Sequence, residues 1–195
     1  YLFDNKSTKL KTSYGTGMRF PSLYELNFLN SFNSSMTAET SESFDFGIEK
    51  SFSNSGLSFD ATYFNIKYID TLEGWKGAGA WETNNFPGVV KSQGLELDAN
   101  WLKSDQLNFD LNYTYTSTYD GAEQDDPDKN SSYFMTEMVR VPSHLINLKT
   151  NFKIPGYKNL DLSLNTKFSG DARDYGNGNR TWRDERLDDY LINDL

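Results

Sequence analysis

Residues 95–116, LELDANWLKSDQLNFDLNYTYT, alternate twice between two chemistries. Leu95, Leu97, Ala99 and Trp101 are separated by Glu96, Asp98 and Asn100. After a short break, Leu107, Phe109, Leu111, Tyr113 and Tyr115 are separated by Asn108, Asp110, Asn112 and Thr114. Successive side chains of a strand point to opposite faces, so period two is the mark of a sheet whose faces meet different surroundings. Only Leu102 and the four residues Lys103–Gln106 intervene, which makes the pair a hairpin. A chain of this kind needs an apolar environment on one side of its sheet and water or polar groups on the other.

The same period recurs along the chain. Strands are expected at Lys9–Gly17, Ser43–Phe52, Leu57–Tyr68, Val89–Leu102, Leu107–Tyr119, His144–Lys153 and Asn159–Ser169, with a truncated one from Tyr190. In the second, Phe44, Phe46, Ile48 and Phe52 oppose Ser43, Asp45, Gly47, Glu49 and Ser51. The third is regular through Leu57, Phe59, Ala61 and Tyr63, then loses parity at Phe64–Ile66, where a bulge or a slipped face is expected. Helical periodicity is weak throughout. The fold class is therefore all-β and antiparallel, with about eight meandering strands.

Connections alternate in length. Ser53–Gly56, Lys103–Gln106 and Pro155–Asn159 are short and carry turn-forming Gly, Asn, Asp, Ser and Pro. Phe20–Glu39, Ile69–Pro87, Asp120–Val139 and Gly170–Arg186 are 17 to 20 residues each and all fall at one end of the sheet. Such asymmetry is that of an outer-membrane barrel, with short periplasmic turns and long outer loops. The last apolar-face residue before each short turn is aromatic: Phe52, Trp101 and Phe152. These three are candidates for a membrane girdle. A soluble β-barrel binding protein with its apolar face inward shares the alternation and stays open as an alternative.

Bulk properties exclude some classes. The formal charge is −9, from 19 basic and 28 acidic residues, so no nucleic-acid partner is expected. There is no cysteine and one histidine, His144, which leaves no disulfide framework and no donor set for a transition metal. No apolar run is long enough for a membrane helix, but averaged hydropathy is blind to a barrel wall. The chain starts at Tyr1 and stops at Leu195 inside an apparent strand, and is expected to be an internal piece of a longer protein.

Ser13–Leu26, SYGTGMRFPSLYEL, resembles the strand-and-loop signature of TonB-dependent outer-membrane receptors. Its elements are Tyr14, Gly15, Gly17, Arg19, Pro21, Glu25 and Leu26, with Phe20 where Ala is commoner. Glu39–Lys50, Tyr63–Leu72, Val90–Trp101, Leu111–Tyr119 and Arg140–Leu148 resemble later strands of that family, in its order. Ala38 stands where the family usually has Pro. The phrases look most like those of vitamin B12 and siderophore receptors. The resemblance implies a partial barrel domain over residues 1–195, belonging to a wall of about 22 strands around an N-terminal plug. It implies an outer-membrane transporter that takes up a scarce small-molecule nutrient, cobalamin or a ferric siderophore, with no enzymatic chemistry and no cofactor. Implied partners are outer-membrane lipid and lipopolysaccharide, the protein's own plug, and the TonB–ExbB–ExbD complex acting through that plug. A passive porin or adhesin barrel is the alternative within the membrane.

Candidate functional residues follow. Trp75, Trp81, Tyr133, Tyr175, Arg180 and Trp182 lie in the long connections and are candidate ligand contacts, since loops on a rigid scaffold concentrate binding. Arg173, Arg180, Arg183 and Arg186 could attract an anionic chelate, but Asp171, Asp174, Asp184 and Glu185 cancel much of their field. Glu123–Asp128 and Asp184–Asp189 are acidic runs without the spacing of a calcium loop and are expected to be solvated. His144 has no motif for an orienting carboxylate or a nucleophile and is expected to be structural. Gly94 suits a lumen-facing position where a plug comes close, and Glu49, Glu96, Asp98 and Asp110 are expected to hydrogen-bond plug or water.

Overall fold

The structure, a computed structural model, describes residues 1, 3, 7–27, 35–76, 80–121, 137–157, 160–175 and 184–195. The strands are β1 (Thr8–Arg19), β2 (Glu39–Phe52), β3 (Leu57–Lys76), β4 (Ala80–Ser104), β5 (Leu107–Asp120), β6 (His144–Lys153), β7 (Asp161–Ser169), β8 (Ala172–Tyr175), β9 (Asp184–Leu187) and β10 (Tyr190–Asp194). One helical turn, α1 (Leu23–Leu26), follows β1. Eight strands form one antiparallel sheet in the order β1-β2-β3-β4-β5-β6-β7-β10, and β8 pairs with β9 in a separate ribbon. All eight expected strands are present, and each neighbours the next along the chain.

The turns explain themselves locally. Pro155 and Gly156 (φ +87°) take the two corners between Ile154 and Tyr157, whose N–H donates to the Ile154 carbonyl at 3.3 Å. Pro before a positive-φ Gly is the requirement of a type II turn. At the β2–β3 turn, Gly56 (φ +64°) packs so closely on β4 that a Cβ would sit 2.4 Å from the Leu102 carbonyl oxygen. The β4–β5 turn is tighter than expected. β4 runs to Ser104, with an irregularity between Leu102 and Ser104, leaving Asp105 and Gln106 as the corner.

Two long connections are not loops. Ile69–Pro87 is largely ribbon, with Thr71 opposite Phe86 and Gly74 opposite Thr83. The extended ladder satisfies backbone groups that a coil of that length would leave to water. Gly170–Arg186 contains β8 and part of β9.

The sheet is one layer. Across β1 to β7, one row reads Leu10, Ile48, Ala61, Leu97, Tyr113, Ile146 and Phe168. The row beside it, on the opposite face, reads Lys9, Glu49, Asp60, Asp98, Asn112, Asn147 and Lys167. Among the described residues nothing covers the apolar face, where Phe46 is 48% exposed and Leu95 41%. No large side chain among the described residues is fully buried. A soluble sandwich packs its apolar face into a dry core; this sheet leaves it open.

The parity loss in β3 has a different cause from the one expected. Pairing to β2 and β4 continues unshifted through Phe64–Ile66, and the bulge lies further on, between Ile69 and Thr71, at Asp70 (φ +56°). Phe64, Ile66 and Tyr68 therefore belong to the polar face, while Asn65 and Lys67 take the other. Gly94 lies on the polar face, as expected, and the space beside it is taken up by its neighbours in the sheet. A Cβ there would lie 1.9 Å from the Tyr115 carbonyl oxygen and 2.7 Å from Phe64 Cζ. The glycine makes space for the neighbouring strand and the Phe64 ring. Gly94→Ala in the full-length protein should destabilise the wall by about 1–3 kcal/mol through overpacking, read as a lowered urea midpoint. Adding Phe64→Ala should recover only part, because the backbone clash remains.

Candidate functional site

The residues of the β1 signature are brought together at the end of the sheet that carries the long connections. Tyr14 lies on the apolar face opposite Phe44, and Gly15 and Gly17 face Ser43 and Ser41 on the other. Pro21 cannot continue the ladder, and the chain turns into α1. Ser22 caps that turn. Its hydroxyl accepts from the Glu25 N–H at 3.2 Å, and its own N–H donates to Glu25 Oε2 at 2.7 Å. The sequence Ser22-Leu-Tyr-Glu25 is thus a capping box, a motif whose sequence signal is local. Leu26 completes the turn through its N–H to the Ser22 carbonyl, 3.0 Å.

Arg19 ties this turn to two strands. Its Nη1 donates to Glu25 Oε1 at 2.9 Å, and its Nη2 to Glu39 Oε2 at 3.2 Å and to the Leu72 carbonyl at 3.4 Å. Glu39 in turn accepts the Leu72 N–H at 3.1 Å. Nearby, Asn85 accepts the Thr37 N–H at 2.7 Å and donates to the Thr37 and Asp70 carbonyls at 3.0 and 2.8 Å. The β3–β4 ribbon is therefore fastened to the β1–β2 connection just past the Asp70 bulge. Glu39 and Asn85 have no local signal in the sequence, since their partners are brought up by strand pairing.

The Glu25 carboxyl is held down at about 2. The Ser22 backbone N–H contributes most, followed by the Ser22 hydroxyl and the Arg19 guanidinium. All three interact best with the ionised form.

A second tie fastens β8–β9 to the approach to β6. Arg140 (φ +61°) donates from Nε to Asp174 Oδ1 at 2.8 Å, and its N–H donates to the Arg173 carbonyl at 2.7 Å. Arg173 pairs with Glu137 at 3.1 Å, and Arg186 pairs with Asp171. Of the cancellation expected within this connection, Arg186–Asp171 is a direct ion pair; Arg173 and Asp174 instead take partners from before β6, Glu137 and Arg140, and Arg180 and Arg183 lie outside the described residues.

On the polar face, neighbours serve one another. Lys9 pairs with Glu49 at 3.4 Å and Lys11 with Asp60. Asp98 accepts from Asn112, while Asp110 accepts from Asn100 and, at 3.0 Å, from Asn108. These carboxylates have partners inside the wall itself. They line an open groove with Ser51, Ser58 and Asn100. Among the described residues, no group of three His, Asp or Glu is arranged to hold a metal ion. His144 Nδ1 lies 3.0 Å from Tyr113 Oη, and its ring packs beside those of Tyr113 and Tyr115.

At the short-turn end, Phe52 and Trp101 share a row through Leu57, and Phe152 lies opposite Leu107. Trp101 stacks on Phe109 at 5.6 Å and donates from Nε1 to the Ser55 carbonyl at 3.1 Å. The side chains of the six candidate ligand contacts lie outside the described ones. Trp75 and Trp81 lie in the distal ribbon and Tyr175 ends β8; Tyr133, Arg180 and Trp182 are outside the described residues altogether. So is the acidic run Glu123–Asp128.

Comparison with protein-family models matches residues 1–195 to the TonB dependent receptor-like β-barrel. Among solved structures, a ferric enterobactin receptor from Pseudomonas aeruginosa superposes with a TM-score of 0.75 at 21% identity, over 96% of this chain and 30% of that one. An iron transporter from Neisseria meningitidis gives 0.71 at 17% identity, over 98% and 30%. The ferric yersiniabactin uptake receptor of Yersinia pestis gives 0.68 at 16%, over 99% and 27%. At these identities the likeness is one of fold. The chain spans about a third of the length of these proteins. Comparison with curated proteins finds no match.

The depressed Glu25 pKa sets a pH window. A carboxyl near 2 in the folded state and 4.5 unfolded contributes stability in full above pH 4.5 and loses it as pH falls toward 2. Amide exchange at residues 22–26 of the full-length protein, corrected for intrinsic rate, should accelerate across that window. Glu25→Gln should give faster exchange at neutral pH and abolish the acid transition.

Proposed function

Because the chain belongs to the TonB-dependent receptor-like β-barrel family, we propose that it is part of the wall of an outer-membrane receptor that takes up a scarce nutrient by energised transport. The observation that carries the reading is the two-faced single layer itself. Its apolar side has no cover among the described residues, its polar side is cross-linked laterally by ion pairs and amide–carboxylate hydrogen bonds, and its connections are short at one end and long at the other. A barrel wall in a membrane has these three properties together. The edges of β1 and β10 would pair with strands outside this chain and so close the barrel.

On this reading the apolar face meets hydrocarbon, and Phe52, Trp101 and Phe152 lie at the periplasmic boundary. Lys103 Nζ, 4.8 Å above the Trp101 ring, and Lys50, which donates to Ser7 and Thr8 hydroxyls at 3.0 and 2.6 Å, carry their charges toward that boundary. The long connections face outward. Trp75, Trp81, Tyr133, Tyr175, Arg180 and Trp182 would contribute to ligand capture there, with the two ion-paired ties holding their bases in place. A plug inside the barrel would couple capture to TonB.

A ferric siderophore is the proposed cargo, supported by the iron and siderophore receptors among the structural neighbours; cobalamin is the competing cargo. Deleting the full gene should abolish growth on a ferric chelate as sole iron source, and plasmid-borne protein should restore it. Restoration of cobalamin-dependent growth alone would reassign the cargo. Uptake that persists after collapse of the proton-motive force would favour the passive porin or adhesin reading.

The face assignment has its own test. Leu97→Arg in the full-length protein should cost about 2–4 kcal/mol of folding into bilayers, while Glu96→Gln, one residue away on the other face, should cost little. Folding is measured by urea titration in lipid vesicles. The opposite order of costs would reverse the two faces.

A further inference from the structure

The row that crosses β2 to β5 above the apolar band reads Glu42, Lys67, Lys91 and Tyr119. Lys67 and Lys91 are direct cross-strand partners, both exposed, on the face that carries Leu97. Like charges placed opposite one another destabilise an antiparallel pair. Neither lysine makes an ion pair with a described residue, and this includes Glu42, the carboxylate of the row. Lys91 Nζ stands 5.8 Å from the centre of the Tyr119 ring. One row lower, the Asn65 amide donates to Gln93 Oε1 at 3.2 Å and to Tyr63 Oη at 3.3 Å. A polar margin thus separates the two lysines from the apolar band.

Their height follows from the register. Leu57 and Trp101 are partners at the short-turn margin, and Lys67 and Lys91 are partners ten residues further along the same two strands. Ten residues span about 33 Å along a strand. At the 35–45° tilt of barrel strands this is a rise of roughly 25 Å, the height of a barrel's apolar band. The lysine pair therefore falls at the opposite boundary, on the side with the long connections and on the lipid side of the wall.

We infer that Lys67 and Lys91 form a binding site for the phosphate of an outer-leaflet lipid headgroup. A phosphate between the two ammonium groups replaces a repulsion with two charge-assisted hydrogen bonds. Lysine suits the task because its flexible stem lies along apolar surface while the charge rises to the headgroup. The inference rests on the reading that Leu97 and its row meet lipid.

The test uses the delipidated full-length protein in detergent, titrated with diphosphorylated lipid A, dephosphorylated lipid A and inorganic phosphate, with binding counted by native mass spectrometry. Diphosphorylated lipid A should bind about tenfold more tightly than the dephosphorylated form. The double variant Lys67→Gln/Lys91→Gln should lose that preference, each single variant should lose part of it, and Lys103→Gln at the other margin should keep it. The single variants carry the test if the double one fails to fold. A preference retained without both lysines overturns the site, and so does inorganic phosphate that competes as strongly as the lipid at equal concentration. If Leu97→Arg proves harmless in vesicles, the membrane-facing reading is what has failed. If Leu97→Arg is costly and the double variant still prefers the phosphorylated lipid, only the lysine site is wrong.

Discussion

Antiparallel pairing in unbroken register is the constraint on which the rest of this wall depends. Each step along a strand turns the side chain to the other face, so one pairing offset commits every residue beyond it. From β1 to β7 the rows remain continuous, and through the middle of the sheet apolar and charged rows alternate without a packed core among the described residues to sort them. The irregularities fall toward the two ends, at Asp70, between Gly74 and Lys76, and between Leu102 and Ser104. In the middle, the pairing of neighbouring strands runs without a register shift.

The polar face is cross-linked along the sheet by its own side chains. Carboxylates on β4 and β5 accept from asparagine amides on the adjacent strand or two residues along, and those on β2 and β3 pair with lysines from β1. Exposed pairs of this kind contribute little each. Their effect is to fix side chains in rows along the wall. The lysine pair on the other face stands in contrast, because Lys67 and Lys91 are direct partners and neither makes an ion pair with a described side chain.

Beyond the outer end of the sheet, side chains take over from the ladder. Glu39 completes the hydrogen bonding of Leu72 and the charge of Arg19 together, and Asn85 spans the bulge at Asp70. Arg140, Arg173 and Arg186 do the same for the β8–β9 ribbon. These two networks fix the bases of the long connections, with residues scattered over most of the chain.

Strand number, the meander order, the two faces and the unequal ends were all legible from period two and turn chemistry, because both act between near neighbours. The signature around Arg19 and Pro21 was legible too, but the Ser22–Glu25 box within it was passed over as part of a long connection. Ile69–Pro87 was misjudged as loop because its alternation is weak, and pairing with the partner strand carried it into the ladder regardless. Phe64 and Gly94 could not be matched in advance, since a ring from one strand fills a gap in the next. Glu39 meeting Leu72, Asn85 meeting Thr37 and Lys67 meeting Lys91 were decided only by the tertiary structure. Which residues of separate strands come opposite depends on the offset accumulated over every turn and bulge between them, and no local pattern records that sum.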